Sequence, residues 1–331
     1  MSDVFILGAG FSKAVSLHRP VDLRMPLLQE LAAMVERSLV SNDMRQDICT
    51  LFPNDLELWL SFWLNDHPWL TRAEKLRNEA AGLHALHVIQ NRLFAAEYTM
   101  AQAAGPQWLA KLVNSWLRDH PCVITLNYDT LVERCVAEHG IGCESLYPVP
   151  MVSLRPSSVA PARNRHPAFA LHKLHGSASW FCSDAESASG GTLHYLPFRG
   201  WKDQVEGSKK LVEKKTPFIV PPCFNKATYL RHETLSRLWL LAGKALALAK
   251  RVFVLGYSLP PTDVEMRWFL ATNARRCDQE IFVFDTKPEV VGRFSEVFFG
   301  KDRIRLNAYG DGEHGPIPPL ADALHAEDEL R

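Results

Sequence analysis

Apolar positions change period several times along the chain, and the changes mark its elements. Asp3 to Leu7 is a short β-branched and aromatic run ending in glycine, which predicts a buried strand. From about Pro26 to Arg118 apolar residues recur every three or four positions, as helices require. Leu27, Leu28, Leu31 and Met34–Val35 make one such stripe, and Leu56, Trp59, Leu60 and Trp63 make another. Asn54, with Glu57 three residues on, is placed to cap the second. Pro106 and Pro121 bracket a further helix through Leu109, Leu112, Val113 and Trp116.

Cys122 to Leu126 predicts a second strand, and the residues from Asp129 to Gly140 a helix. Residues 143–170 read as loop, Leu171 to His175 as a short extended piece, and 183–230 as irregular. Then come a helix at Leu235–Ala249, a strand at Val252–Leu255, a helix at Thr262–Ala274, a strand at Ile281–Phe284 and a helix at Pro288–Phe299. Thr262 and Glu265 have the spacing of a capping box. The tail after Tyr309 is Gly/Pro-rich and then acidic, and is expected to be mobile.

Strands that alternate with helices predict an α/β fold, a Rossmann-like doubly wound parallel sheet. It carries a large helical insertion and a smaller irregular one. The expected division is a nucleotide-binding domain from 1–25 and 119–310, a helical module at 26–118, and an acidic tail at 311–331.

Composition narrows the function classes. The chain has 331 residues, 47% apolar and 22% charged, an ordinary globular balance that excludes an intrinsically disordered class. Lys plus Arg and Asp plus Glu are 37 each, so no global positive field exists and direct nucleic-acid binding is not expected. No basic region precedes the first apolar stretch, which Gly8 and Gly10 cut short, so it does not read as a signal peptide. Lys244, Lys250 and Arg251 interrupt the most apolar later segment, so no run reaches the roughly 18 residues of a spanning helix. A soluble, cytoplasmic protein is expected. Seven cysteines, at 49, 122, 135, 143, 182, 223 and 277, form no C-x-x-C pair, so neither a zinc knuckle nor a redox dithiol is indicated, and no metal is expected.

Five motifs carry candidate chemistry. Gly8-Ala9-Gly10-Phe11-Ser12 directly follows the first strand. Gly8 permits a tight turn, Gly10 permits close approach of backbone to a pyrophosphate, and amides at the next helix start favour the anion. Lys13 stands where the third glycine of G-x-G-x-x-G would be. Thr125-Leu126-Asn127-Tyr128-Asp129 ends the second strand, at the edge where open α/β sheets bind ligands. Asn127 offers an acceptor and two donors. Asp129 is placed either to hold ribose hydroxyls or to cap its helix. Lys173-Leu174-His175-Gly176-Ser177 supplies a histidine, able to take a proton near neutral pH or to serve as a structural residue. Gly256, Ser258 and Asp285 follow the later strands. Asp285 suits a ribose or a helix start.

In this order the motifs resemble the sirtuin-like NAD-binding domain of the silent-information-regulator family, and most closely its bacterial branch that hydrolyses NAD in antiphage defence. The resemblance spans residues 3–300. It implies NAD as substrate, Asn127 and His175 as the catalytic pair, and Gly8, Ala9, Gly10, Phe11 and Ser12 along the pyrophosphate. Thr125 and Asp129 belong to the same cofactor site, and Gly256, Ser258 and Asp285 would hold the adenosine side. The family's deacylases carry a four-cysteine zinc module and a Gly-Ile-Pro and Phe-Arg stretch. This chain has neither, and Leu126 replaces the usual glutamine. NAD cleavage to nicotinamide and ADP-ribose is therefore the leading expectation. Deacylation, ADP-ribosyl transfer and non-catalytic NAD or ADP-ribose sensing are the alternatives. An enzyme that destroys NAD must be held off, so a homo-oligomer or a complex with a separately encoded sensor or activator is expected.

Two further features remain open. Trp59, Phe62, Trp63 and Trp69 suit core packing, a lid over the nucleotide or a partner surface. Lys209, Lys210, Lys214 and Lys215 suit a solvated face or contact with an acidic partner or nucleic acid.

Overall fold

The computed structural model describes residues 3–41, 47–101, 105–155, 168–183, 192–198, 200–201, 212, 215–223, 226–274, 278–298, 304–306 and 317–329. Lys209, Lys210, Lys214 and Cys277 lie outside them.

Strand β1 (Val4–Leu7) leads into the short helix α1 (Ala9–Val15). Five helices follow, α2 (Leu28–Ser41), α3 (Asp47–Leu51), α4 (Leu56–Trp63), α5 (Arg72–Ala101) and α6 (Gln107–Asp119). Strand β2 (Cys122–Thr125), helix α7 (Leu131–Ala137) and strands β3 (Val152–Ser153), β4 (Ala170–Lys173), β5 (Gly176–Ser183), β6 (His194–Tyr195) and β7 (Lys215–Ile219) come next. The chain closes with α8 (Ala227–Leu230), α9 (Glu233–Leu248), β8 (Arg251–Leu255), α10 (Val264–Asn273), β9 (Glu280–Phe284), α11 (Val290–Val297), β10 (Ile304–Leu306) and α12 (Ile317–Glu329).

The main sheet runs β10-β9-β8-β1-β2-β4, and every pair in it is parallel. Numbered by position in this sheet alone, the order is 3-2-1-4-5-6, that of a Rossmann fold. Register fixes which side chains share a face. Phe5, Val123, Leu171, Phe253 and Phe282 lie in one row, and Ile6, Ile124, His172 and Val254 in the next. Phe5 stacks on Phe253 at 4.8 Å and Phe253 on Phe282 at 5.1 Å. Trp116 of α6 packs on Phe5 at 5.2 Å, so α6 covers that face. His172 Nδ1 hydrogen-bonds the Leu238 carbonyl of α9 at 3.2 Å, so α9 covers the other. The sheet is doubly wound, as expected. Burying each of these aromatic rings contributes about 1.5–3 kcal/mol.

The sequence places α6 in the helical insertion, but Trp116 makes it a layer of the sheet. It ends at His120, whose left-handed φ of 48° precedes Pro121, a residue that disfavours helix before it. Asn54 is not the cap of α4. It takes φ 61°, and Asp55 accepts the Leu58 N–H instead. The Thr262–Glu265 capping box does not form either, because Asp263 is the residue at the start of α10. The stretch read as irregular holds β6, β7 and α8, and β3-β6-β5-β7 form a second sheet. The tail is not all loose. Helix α12 buries Ile317 and Ala321, and Asp322 pairs with Lys111 of α6 at 2.6 Å. Among the described residues no helix is long and apolar enough to cross a membrane.

Trp59 and Trp63 are core residues, as packing predicts. Phe62, His67 and Trp69 instead stack in series toward the surface, where Trp69 is 71% exposed.

Candidate active site

All main-sheet strands are parallel, so their carboxyl ends share one edge. Gly8 to Ser12 follow β1, Thr125 to Asp129 follow β2, His175 follows β4, Gly256 and Ser258 follow β8, and Asp285 follows β9. Strand order reverses between β1 and β8, and ligands of open α/β sheets bind at such a point.

The glycines at that point serve each other first. Gly8 N–H donates to the Leu255 carbonyl at 3.1 Å, and Gly10 N–H to the Gly256 carbonyl at 2.8 Å. A Cβ on Gly10 would stand 2.8 Å from the Gly256 oxygen, and one on Gly256 would stand 2.2 Å from the Phe11 nitrogen. Gly256 also has φ 61°. These glycines let two loops touch, backbone to backbone. Phe11 N–H donates to the Gly8 carbonyl at 2.9 Å. Two amides expected to face a pyrophosphate are therefore spent inside the fold, which leaves Ala9 as the exposed residue of that loop.

Asn127 stands at the end of β2, half-buried. Its backbone N–H donates to Thr125 Oγ1 at 3.1 Å. Its Nδ2 donates to the Gly8 carbonyl and to Ser12 Oγ, both at 2.8 Å. Ser12 Oγ in turn donates to Asp129 Oδ2 at 2.5 Å. That chain sets the amide orientation, because a carbonyl and a hydroxyl already donating elsewhere can only accept. Both Asn127 donors are thus used, and its Oδ1 is left as the acceptor for a ligand.

Asp129 is turned inward, not toward a ribose. It is buried against Ser12, and its capping bond to Leu131 N–H is long at 3.3 Å. Burial, with Glu97 nearby, pushes its carboxyl up to about 6, against the pull of Lys173. Lys173 Nζ donates to the Asp129 carbonyl and pairs with Glu133 at 3.0 Å. Beyond Asp129, Glu97 of α5 accepts Thr130 N–H at 2.8 Å and Thr130 Oγ1–H at 2.5 Å, and holds Arg134 Nε at 3.2 Å. Helix α7 takes its cap from this distant carboxylate, because Thr130 supplies none from its own side chain. Sequence reading missed Glu97, Lys173 and Glu133 as parts of this network.

His175 occupies the step between the two sheets, after β4 and before β5. Gly176 has φ 77°, and a Cβ there would stand 2.3 Å from the Phe218 oxygen. His175 Nε2 is buried with no hydrogen-bond partner, and the nearby Leu126 carbonyl favours the charged ring. Burial lowers the ring to about 4, with the Lys226 ammonium adding to the effect and Asp263 opposing it. His175 is therefore neutral at pH 7, in the form a base requires.

Ser258 and Asp285 sit apart from this network. The Ser258 carbonyl accepts from Arg293 at 3.0 Å, and the loop after it holds buried Leu259 at φ 46°. Asp285 accepts Lys287 N–H at 3.0 Å and lies before, not at, the start of α11. Both are half-buried on the ligand edge. Among the described residues no group of three or more His, Cys, Asp or Glu is placed to hold a metal ion.

No protein-family model matches the chain, and no curated protein does. Among solved structures it is similar to Sir2Tm bound to a propionylated peptide, at 13% identity and a TM-score of 0.44, covering 100% of this chain and 94% of that one. A structure of Sir2 with a p53 peptide and NAD+ gives 13% identity and 0.41, covering 100% and 94%. One described as the structural basis for the mechanism and regulation of Sir2 enzymes gives 14% and 0.43, covering 99% and 93%. What the strand order and the residues on its edge define without them is a Rossmann-ordered α/β domain whose ligand edge carries an asparagine acceptor and a neutral histidine.

Proposed function

We propose that the protein is an NAD glycohydrolase that cleaves the nicotinamide–ribose bond. One observation carries this reading. The ligand edge has a buried imidazole whose Nε2 has no hydrogen-bond partner and an asparagine with an unengaged Oδ1, while the acid beside Asn127, Asp129, is tied inward. Ordinary glycosides need an acid to protonate the leaving group. Nicotinamide does not. When the C1′–N1 bond breaks, its electron pair neutralises the pyridinium and nicotinamide leaves uncharged. Water then bonds to C1′, and its proton goes to His175 Nε2. Asn127 Oδ1 orients that water or a ribose hydroxyl. A positioned base contributes about 10²–10⁴-fold.

In this reading residues 1–25 and 119–310 hold NAD and the 26–118 module braces them. Ala9 and the Gly8–Ser12 loop receive the pyrophosphate, and Gly256, Ser258 and Asp285 border the adenosine. The cellular role that goes with it is depletion of cytoplasmic NAD in antiphage defence, switched by self-assembly or by a partner. The motif order and the exposed Trp69, Leu76 and Leu83 of the helical module support that role.

The test is incubation with NAD, with nicotinamide and ADP-ribose resolved by chromatography, with and without an acylated peptide. Stoichiometric release of both products without peptide is expected, and loss of release in folded His175→Ala and Asn127→Ala. Release only with peptide would make the protein a deacylase, and binding without turnover a sensor.

A further inference from the structure

One side chain of α9 touches both His175 and the peptide before it. The Trp239 indole donates from Nε1 to the Leu174 carbonyl at 3.1 Å. The same indole lies against the His175 imidazole, with ring centroids 6.4 Å apart and planes tilted by 42°. Its neighbour on α9, Leu238, accepts His172 Nδ1 at 3.2 Å. Adjacent residues of α9 thus grip the end of β4 at two points, one inside the strand and one just past it. The indole is itself braced. Phe269 of α10, 7% exposed, meets it edge to face at 5.1 Å.

Other bonds fix the chain on either side of His175. Leu174 N–H donates to the Thr125 carbonyl at 3.0 Å, and the His175 carbonyl accepts Val220 N–H at 2.9 Å. Gly176 then turns through φ 77°. Two things are left for α9 to supply. Leu174 is fully buried, and a buried carbonyl needs a donor, which is the indole. The imidazole plane needs a stop, because histidine χ2 has only a broad preference and Nε2 has no hydrogen-bond partner. What lies against the ring sets its plane, and Trp239 lies there.

We propose that Trp239 is the positioning residue of His175. Its N–H fixes the peptide that carries the imidazole, and its ring fixes the imidazole plane, so that Nε2 is held in one orientation. It does not need to touch substrate. The catalytic consequence rests on His175 being the base; the placement of the ring does not.

The test uses the full chain as W239F and F269L. W239F keeps an aromatic ring and loses the donor to Leu174. F269L keeps the donor and removes the edge that braces the indole. Two readouts are taken, steady-state cleavage of NAD, and NMR of the histidine ring C–H groups without NAD, with His175 assigned by the signals lost in His175→Gln. In W239F kcat should fall at least about tenfold, since a displacement near 1 Å can cost about 10²-fold, and KM should stay within about twofold. F269L should lower kcat in the same way but by less. The His175 ring signals should shift in both variants, because the ring current of the indole acts on them. A purely structural Trp239 would lower the melting temperature and leave both kcat and the His175 signals of the folded variants unmoved. That result overturns the proposal, and so does a change in KM alone. Where W239F does not fold, F269L decides by the same two readouts. If the wild-type protein does not cleave NAD, the function assignment fails, and the His175 signals still decide whether Trp239 holds the ring.

Discussion

Ser12 Oγ donates to Asp129 Oδ2 at 2.5 Å, across 117 residues of chain. The bond joins the glycine loop of β1 to the loop of β2, and Asn127 hangs on the same hydroxyl. Ser12→Ala therefore leaves Asn127 Nδ2 and Asp129 Oδ2 each one partner short in a buried place, at a cost of about 1–3 kcal/mol. In the proposed reaction a freed Asn127 should lower kcat by about 10²-fold. Steady-state kinetics beside thermal unfolding would separate the two effects. An unchanged kcat would show that Asn127 is not held through Ser12.

Three buried groups with large shifts bear most on the pH dependence of stability. His172 and His175 are lowered by burial to about 4 from an ordinary 6.5, so the unfolded chain binds more protons between those values and stability rises with pH across them. Asp129 works the other way. Raised to about 6 from 3.8, it keeps its proton in the native state, and its contribution falls as pH climbs through that window. Glu57 and Asp285, also raised by burial, add smaller falling parts, but the two rising groups outweigh them and Asp129, so the melting temperature should rise from pH 4 to 6.5. In Asp129→Asn its falling contribution is gone and the rise should steepen. Equal slopes in the two proteins would contradict an inward, desolvated Asp129.

The cap from Glu97 gives a thermodynamic cycle. Glu97→Ala removes the buried carboxylate that Thr130 and Arg134, 1% exposed, share, and should cost about 3–5 kcal/mol. Thr130→Val removes the hydroxyl that Glu97 accepts and should cost about 1–3 kcal/mol. Because the two share bonds, Thr130→Val should cost less in the Glu97→Ala background. Denaturant midpoints of the four proteins measure this, and strict additivity would mean that α5 does not brace the site loop.

Two glycines should respond in opposite directions. Gly256→Ala forces a left-handed residue and drives a Cβ to 2.2 Å from Phe11 N, so loss of folding or of nucleotide binding is expected. Gly292 lies inside α11 with nothing within 4 Å of its Cβ position, and Gly292→Ala should stabilise by about 0.4–1 kcal/mol. Melting temperatures check both.

The parallel sheet was legible because its strands are fully buried and read as short apolar runs, such as Val4–Leu7 and Val252–Leu255. The ligand edge was legible because Gly8, Asn127, His175 and Gly256 all stand at strand ends. What escaped depends on contacts between distant segments. No local pattern shows that Glu97 would cap a helix at Thr130, or that Lys226, in a stretch without periodicity, would meet Asp263. Local rules also misled where tertiary partners were stronger. Thr262–Glu265 has capping-box spacing, yet Thr262 hydrogen-bonds Glu57 and Asp263 is held by Lys226 and Tyr257. The Gly10 amide suits an anion, yet the Gly256 carbonyl takes it.

Strand β1 lies at the middle of the sheet but far in sequence from both of its neighbours. Val4 pairs with Cys122 and with Val252, and Gly8 N–H needs the Leu255 carbonyl. Contacts this far apart in sequence fold slowly, because each closes a long loop before any gain is realised. During synthesis β1 emerges well before either strand it pairs with, and is thus among the last to be completed. The glycine loops cannot meet until residue 256 has emerged, so a nascent or truncated chain has no assembled ligand edge.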